Sequence, residues 1–166
     1  RQRQMCIRDR NLGKILEEFS NIGGIVVGTN DLAKELVLPK QTGRAGLLYA
    51  LGSIILTAKA YNVITLDGVF NGISDEEGLR SEAEEGKNMG YEGKTLIHPN
   101  QIGITNAVFS PTEKEIDLAN KIIEAYEKAK EEKSGVTTVD GVLVEELHVK
   151  QSLALISKMK MIQSMS

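Results

Sequence analysis

The stretch GGIVVGTND at residues 23–31 holds a short apolar run, Ile25-Val26-Val27, that stops on the polar cluster Thr29-Asn30-Asp31. The same device recurs twice. Val63–Leu66 ends at Asp67-Gly68, and Thr95–Ile97 ends at His98-Pro99. Runs this short, bounded by turn residues, suit buried parallel strands. Helical text lies before and between them. Leu12, Ile15, Leu16 and Phe19 form one stripe over Asn11–Ser20, and Leu47, Leu48, Leu51, Ile54, Ile55 and Ala58 form another over Thr42–Tyr61. Ser74-Asp75-Glu76-Glu77 reads as a capping box opening a charged helix to about Asn88. Strands alternating with helices of this length predict an α/β fold with a parallel sheet and right-handed crossovers.

Beyond His98 the pattern changes. A short helix is expected over Asn100–Phe109, and Ser110-Pro111-Thr112-Glu113 signals a helix start with Ser110 at N-cap, running to about Lys133. Its buried stripe would be Ile116, Ala119, Ile122, Ile123 and Tyr126, and Ser134-Gly135 would stop it. Asp140-Gly141 between Val136–Val139 and Val142–Val144 predicts a tight hairpin, followed by a last helix from about Glu145 to Ile162. Residues 100–166 thus read as a helical and hairpin appendage.

Composition narrows the function classes. Of 166 residues, 41% are apolar and 26% charged, the net charge is -3, and Cys6 is the single cysteine. These values exclude disorder and a disulfide scaffold, and they argue against a nucleic-acid partner. No run of about eighteen apolar residues offers a membrane span. Residues 1–10, RQRQMCIRDR, carry four Arg and one Asp without periodicity. They read either as a basic arm or as a non-native scar joined to a truncated gene, and the scar is the favoured reading. With no signal-type apolar region after them, a cytoplasmic location is the default expectation.

Asp31, Asp67 and His98 each close a strand, and sites in parallel α/β folds form at carboxyl strand ends. Each also has an ordinary explanation. Asp31 could cap a helix Leu32–Leu36, Asp67-Gly68 is a common turn dipeptide, and His98 could be a satisfied loop histidine. Glycine-rich nucleotide loops, zinc-ligand spacing and a nucleophile elbow are all missing from the sequence. The remaining inventory is carboxylates: Asp31, Asp67, Asp75 and Glu145-Glu146, which would suit a hard divalent ion such as magnesium. The charge runs Glu82-Glu84-Glu85 and Glu131-Glu132-Lys133 read as solvated helix faces.

Five blocks occur in order: GTNDL at 28–32, LDGVFNGISDEEGL at 66–79, MGYEGKTLIHPNQI at 89–102, NAVFSPTEKEI at 106–116 and VDGVLVEELHVKQ at 139–151. Together they resemble the carboxyl-terminal half of the citrate lyase β-subunit/malyl-CoA lyase (HpcH/HpaI aldolase) family, over roughly residues 12–160. The resemblance implies the last three or so units of a TIM (β/α)8 barrel at 11–109, with a helix-hairpin-helix extension at 110–166. It also implies that the first five strands of a barrel of ~250 residues are missing. The expected activity is magnesium-dependent cleavage of the C–C bond of malyl-CoA or citryl-CoA, giving acetyl-CoA and a 2-oxo acid. Asp31 would be one metal ligand; its Glu partner belongs to the other half, so this chain alone is expected to be inactive.

Glu145 aligns with the family's acid/base Asp, one methylene longer; its alternative is a helix-start carboxylate. Ile97, His98 and Pro99 resemble the stretch lining the CoA channel, and Asp67 is placed near substrate. The full-length protein is expected to be a homo-oligomer. Alternatives are a malyl-CoA thioesterase, suggested by Glu145, and a non-catalytic CoA-binding subunit.

Overall fold

A computed structural model describes residues 11–39, 43–132 and 137–165. The expected scar at 1–10 and the helix stop at Ser134-Gly135 lie outside the described residues. The chain divides into two compact units, with the boundary between Phe109 and Ser110.

In the first unit, α1 (Leu12–Glu18), β1 (Gly24–Val26), α2 (Thr29–Glu35), α3 (Leu48–Ala60), β2 (Ile64–Asp67), α4 (Glu76–Met89), β3 (Gly93–Lys94) and α5 (Gln101–Phe109) follow in order. The strands pair in parallel in the order β1-β2-β3, so the unit is α/β with helical crossovers. In the register, Ile25 faces Thr65 and Asp67 faces Lys94. Alternation then sorts the side chains of the central strand. Val63, Thr65 and Asp67 are buried, whereas Ile64 is 51% exposed, as is Val26 of β1 at 59%. One face of the sheet is therefore packed. The core beside it joins Val27, Leu47, Leu51, Ile54, Ile55, Ala83 and Tyr91, and burying a side chain such as Leu51 contributes about 1.5–3 kcal/mol.

Several expected boundaries move. The third strand is Gly93–Lys94, not Thr95–Ile97; past Lys94 one further bond, Thr95 N–H to the Asp67 carbonyl at 2.9 Å, closes the pairing. The helix over Thr42–Tyr61 begins as a 3-10 turn at Ala45–Leu47. Asp75 rather than Ser74 caps α4, accepting from the Gly78 N–H at 2.9 Å. Gly90 ends that helix at φ 109°, a left-handed cap that glycine adopts without strain.

Near the middle of β2, Glu92 accepts from the Thr65 N–H at 2.8 Å, the Thr65 hydroxyl at 3.0 Å and the Lys59 ammonium. Burial pushes this carboxyl up, but the Lys59 and Thr65 bonds outweigh it and hold Glu92 below its ordinary value of 4.5. A carboxylate lowered in the folded state stabilises above its unfolded pKa, and the gain disappears as pH falls through the folded pKa. Glu92→Gln is expected to cost about 1 kcal/mol or less at neutral pH, because the site is partly solvated. It should also flatten the fall in melting temperature below about pH 4.5. Thermal melts from pH 3 to 7 on both proteins check this; parallel curves would refute it.

The second unit comprises α6 (Glu113–Glu131), β4 (Thr137–Val139), β5 (Val142–Val144) and α7 (Glu146–Met165). The cap of α6 is Thr112, two residues later than Ser110. Its hydroxyl accepts from the Glu115 N–H at 3.2 Å, while the Glu115 carboxylate accepts from the Thr112 N–H at 2.7 Å. This reciprocal box satisfies two helix-end donors, which Ser110 could not do from two residues upstream. Ala119, an expected member of the stripe, and Ala129 are the buried positions of α6, while Ile116, Ile122, Ile123 and Tyr126 are only half-buried. The hairpin forms as predicted, with Asp140 at φ 50° and Gly141 at φ 80° making the primed turn.

Candidate functional site

A cleft of about 630 Å³ opens where β1 and β2 end, lined by Thr29 and Asn30 after β1 and by Phe70 and Asn71 after β2. Lys34, Arg44 and Glu82 complete its polar wall. Two contacts set its mouth. A Cβ on Gly68 would lie 2.3 Å from the Thr29 hydroxyl, so only glycine lets these two loops meet. Beside them, Asn30 and Asn71 exchange two amide hydrogen bonds, Nδ2 to Oδ1, at 3.0 and 2.9 Å.

Behind the cleft wall lies a buried ion cluster. Asp67 is fully buried and on the helix side of the sheet, where Gly86 of α4 is so close that a Cβ would sit 2.8 Å from Asp67 Oδ2. Arg44 grips the carboxylate with both terminal nitrogens, Nη1 to Oδ2 at 2.8 Å and Nη2 to Oδ1 at 3.0 Å. Lys94, its register partner on β3, reaches Oδ2 at 3.1 Å and Glu82 Oε1 at 2.6 Å. The Gly68 N–H donates to Oδ1 at 2.8 Å. Arg44 Nη1 donates in addition to the Glu82 carbonyl at 3.2 Å, and its Nε lies 3.4 Å from Glu85. Both oxygens of Asp67 are thus committed to protein donors. Arg44, with only 11% of its side chain exposed, is the member of the cluster that also lines the cleft alongside Glu82. Close by, burial and then the Asp67 charge push the Tyr91 phenol far up, so it stays protonated.

The other expected residues fall as follows. Asp31 sits in the first turn of α2 with its side chain exposed; Gly28 occupies the N-cap position, so Asp31 is not the cap. Ile97, His98 and Pro99 form the turn into α5. There the Ile97 N–H donates to buried Gln101 Oε1 at 3.1 Å, and His98 Nδ1 accepts from the Asn100 N–H at 3.2 Å. An accepting Nδ1 puts the proton of the neutral ring on Nε2. Gln101 also donates to the Phe70 carbonyl at 3.0 Å, tying this turn to the loop after β2. Glu145 belongs to the second unit, between β5 and α7, is exposed, and donates its N–H to His148 Nδ1 at 2.9 Å.

None of the five expected residues of the first unit (Asp31, Asp67, Ile97, His98 and Pro99) lines the cleft, although Asn30 precedes Asp31 and Arg44 and Glu82 belong to the cluster around Asp67. Sequence reasoning missed Arg44, Glu82, Lys94 and Gln101. Glu82 and Glu85 are not part of a wholly solvated face as expected, because the charges of Arg44 and Lys94 draw them inward. No local signal marked the missed residues: Lys94 falls just before the run Thr95–Ile97 read as the third strand, and it meets Asp67 only through the register of β3 against β2.

Among the described residues, no helix is long and apolar enough to cross a membrane. Residues 7–99 match the family model described as HpcH/HpaI aldolase/citrate lyase. The chain is 50% identical over 136 residues to a (3S)-malyl-CoA thioesterase of Cereibacter sphaeroides, covering 80% of this chain and 48% of that protein. It is 37% identical over 135 residues to citrate lyase subunit beta of Leuconostoc mesenteroides, covering 81% and 45%. Among solved structures, a citrate lyase beta subunit from Mycobacterium tuberculosis, complexed with oxaloacetate and magnesium, superposes with a TM-score of 0.55. Its identity is 26%, with 63% of this chain and 48% of that chain covered. The chain spans about half the length of the curated relatives it matches. With the family model covering more than half of its residues, the chain belongs to the HpcH/HpaI aldolase/citrate lyase family.

Proposed function

We propose that residues 11–109 are consecutive units of a (β/α)8 barrel, that 110–166 are its extension, and that the full-length protein acts on a malyl-CoA-type 3-hydroxyacyl-CoA. The observation carrying this is the place of the cleft, at the carboxyl ends of β1 and β2, where folds of this class assemble their sites. Thioester hydrolysis is the favoured reaction, supported by the 50% identity to the Cereibacter sphaeroides thioesterase. C–C cleavage is the second reading, supported by the likeness to citrate lyase subunit beta.

Asp31 is the proposed metal ligand of this segment. Its exposed carboxylate accepts no hydrogen bond among the described residues, unlike that of Asp67, which is filled. Nor do three or more His, Cys, Asp or Glu side chains gather into a metal-holding group among the described residues. One carboxylate, with waters and substrate oxygens beside it, is a donor set that suits magnesium. When bound, magnesium supplies Lewis-acid stabilisation of charge on substrate oxygens. Glu145 is the proposed acid/base group. In hydrolysis its carboxylate takes the proton of the water whose oxygen adds to the thioester carbonyl; the C–S bond then breaks, and that proton passes to the departing sulfur. Ile97, His98 and Pro99 are proposed to meet CoA, His98 offering its Nε2–H, and Asp67 to act through Arg44.

Incubating the full-length protein with malyl-CoA and magnesium separates the readings. The expected products are free CoA and malate in equal amounts. Acetyl-CoA with glyoxylate would favour the second reading, and no turnover of malyl-CoA or citryl-CoA would discard both.

A further inference from the structure

We infer that the reciprocal amide pair Asn30–Asn71 is a positioning clamp for Asp31, fixing the turn that presents this carboxylate to a divalent cation; the inference rests on the proposed role of Asp31. Both side chains are exposed, one in the first turn of α2 and the other in the loop after β2, 41 residues apart, and they exchange two bonds of 3.0 and 2.9 Å. An exposed amide pair contributes little net stability, because water competes for each of its donors and acceptors. What the pair does supply is direction: two hydrogen bonds between planar groups fix the distance and the relative tilt of the helix turn and the loop that carry them. The residue after Asn30 in that turn is Asp31. One residue before Asn30, Thr29 is already seated against the Gly68 backbone, where a Cβ would be 2.3 Å from its hydroxyl.

The first turn of α2 is thus held at two successive residues by the loop after β2, and the next residue is the free carboxylate. A short helix whose N-cap makes no side-chain hydrogen bond has no local device to do the same. Outer groups that orient a metal ligand typically change metal affinity by roughly 10- to 100-fold when removed. That is the range to look for here. Lys34 and Arg44, also at the cleft, carry positive charge and cannot substitute as cation ligands.

The test is manganese binding to the full-length protein, followed by electron paramagnetic resonance in the absence of substrate, together with thermal melts. Asn30→Ala and Asn71→Ala are each expected to weaken manganese binding at least about tenfold with melting temperatures within about 2 °C of the parent. The double variant should lose no more than either single one, because two halves of one clamp fail together. Unchanged affinity in the single variants, while Asp31→Ala abolishes binding, would overturn the clamp alone. Losses that multiply in the double variant would also overturn it, since each amide would then act separately. Affinity that falls only in step with the melting temperature would make the pair a structural bond and overturn it too. Unchanged binding in Asp31→Ala would remove the metal reading and the clamp with it.

Discussion

Asp67→Ala is expected to lower the stability of the first unit by about 3–5 kcal/mol, the scale seen when one partner of a buried ion pair is removed. The reason is what the substitution leaves behind. Arg44 and Lys94 both direct cationic nitrogens at this carboxylate, from 2.8 to 3.1 Å, and Lys94 has no exposed side-chain surface. Without Asp67 the two cations would face each other across a void, with Glu82 at 2.6 Å left to compensate Lys94, and Glu85 at 3.4 Å and Glu82 at 3.7 Å left to compensate Arg44. The Gly68 N–H would lose its acceptor as well. A domain of this size has only about 5–15 kcal/mol in total, so the loss is a large part of it. Urea denaturation followed by far-ultraviolet circular dichroism measures it.

Asp67→Asn is expected to cost nearly as much, because shape is kept and charge is lost. Adding Lys94→Met to Asp67→Ala should recover part of the deficit by removing one stranded cation, a coupling that a double-mutant cycle reads directly. A cost below about 1 kcal/mol for Asp67→Ala would show that the cluster is not what holds the cleft wall.

Asp31→Ala in the full-length protein is expected to reduce CoA release from malyl-CoA by about a thousandfold, with the fold intact. Lewis-acid stabilisation is worth several kcal/mol, and every 1.36 kcal/mol is a factor of ten in rate. Asp31 is exposed and accepts no hydrogen bond among the described residues, so its loss should leave the melting temperature almost unmoved. Initial rates at saturating magnesium, set beside thermal melts, check both halves. A variant with parental rates would remove Asp31 from the chemistry.

The two aspartates look alike in sequence, each polar at the end of an apolar run, and the difference between them comes from strand parity. Asp67 lies two residues after Thr65, so it shares that residue's buried face and is turned toward α4 rather than toward the loops. Asp31 lies past the end of its strand, where alternation no longer applies, and the first turn of α2 sets its direction.

Local physics made much of the molecule legible from residues alone. Short apolar runs bounded by turn residues, period-3.6 stripes and the Asp140-Gly141 turn act over a few neighbours, so strand–helix alternation and the hairpin could be read directly. Ends were less legible, because a cap goes to whichever nearby side chain reaches a free N–H: Asp75 and Thr112 rather than Ser74 and Ser110. The partners at the site were decided only by tertiary structure. Asp67 meets Lys94 across 27 residues and Arg44 across 23, while Asn30 meets Asn71 across 41. Those pairings depend on which strands lie side by side and in what register, and no local pattern encodes a register between distant segments.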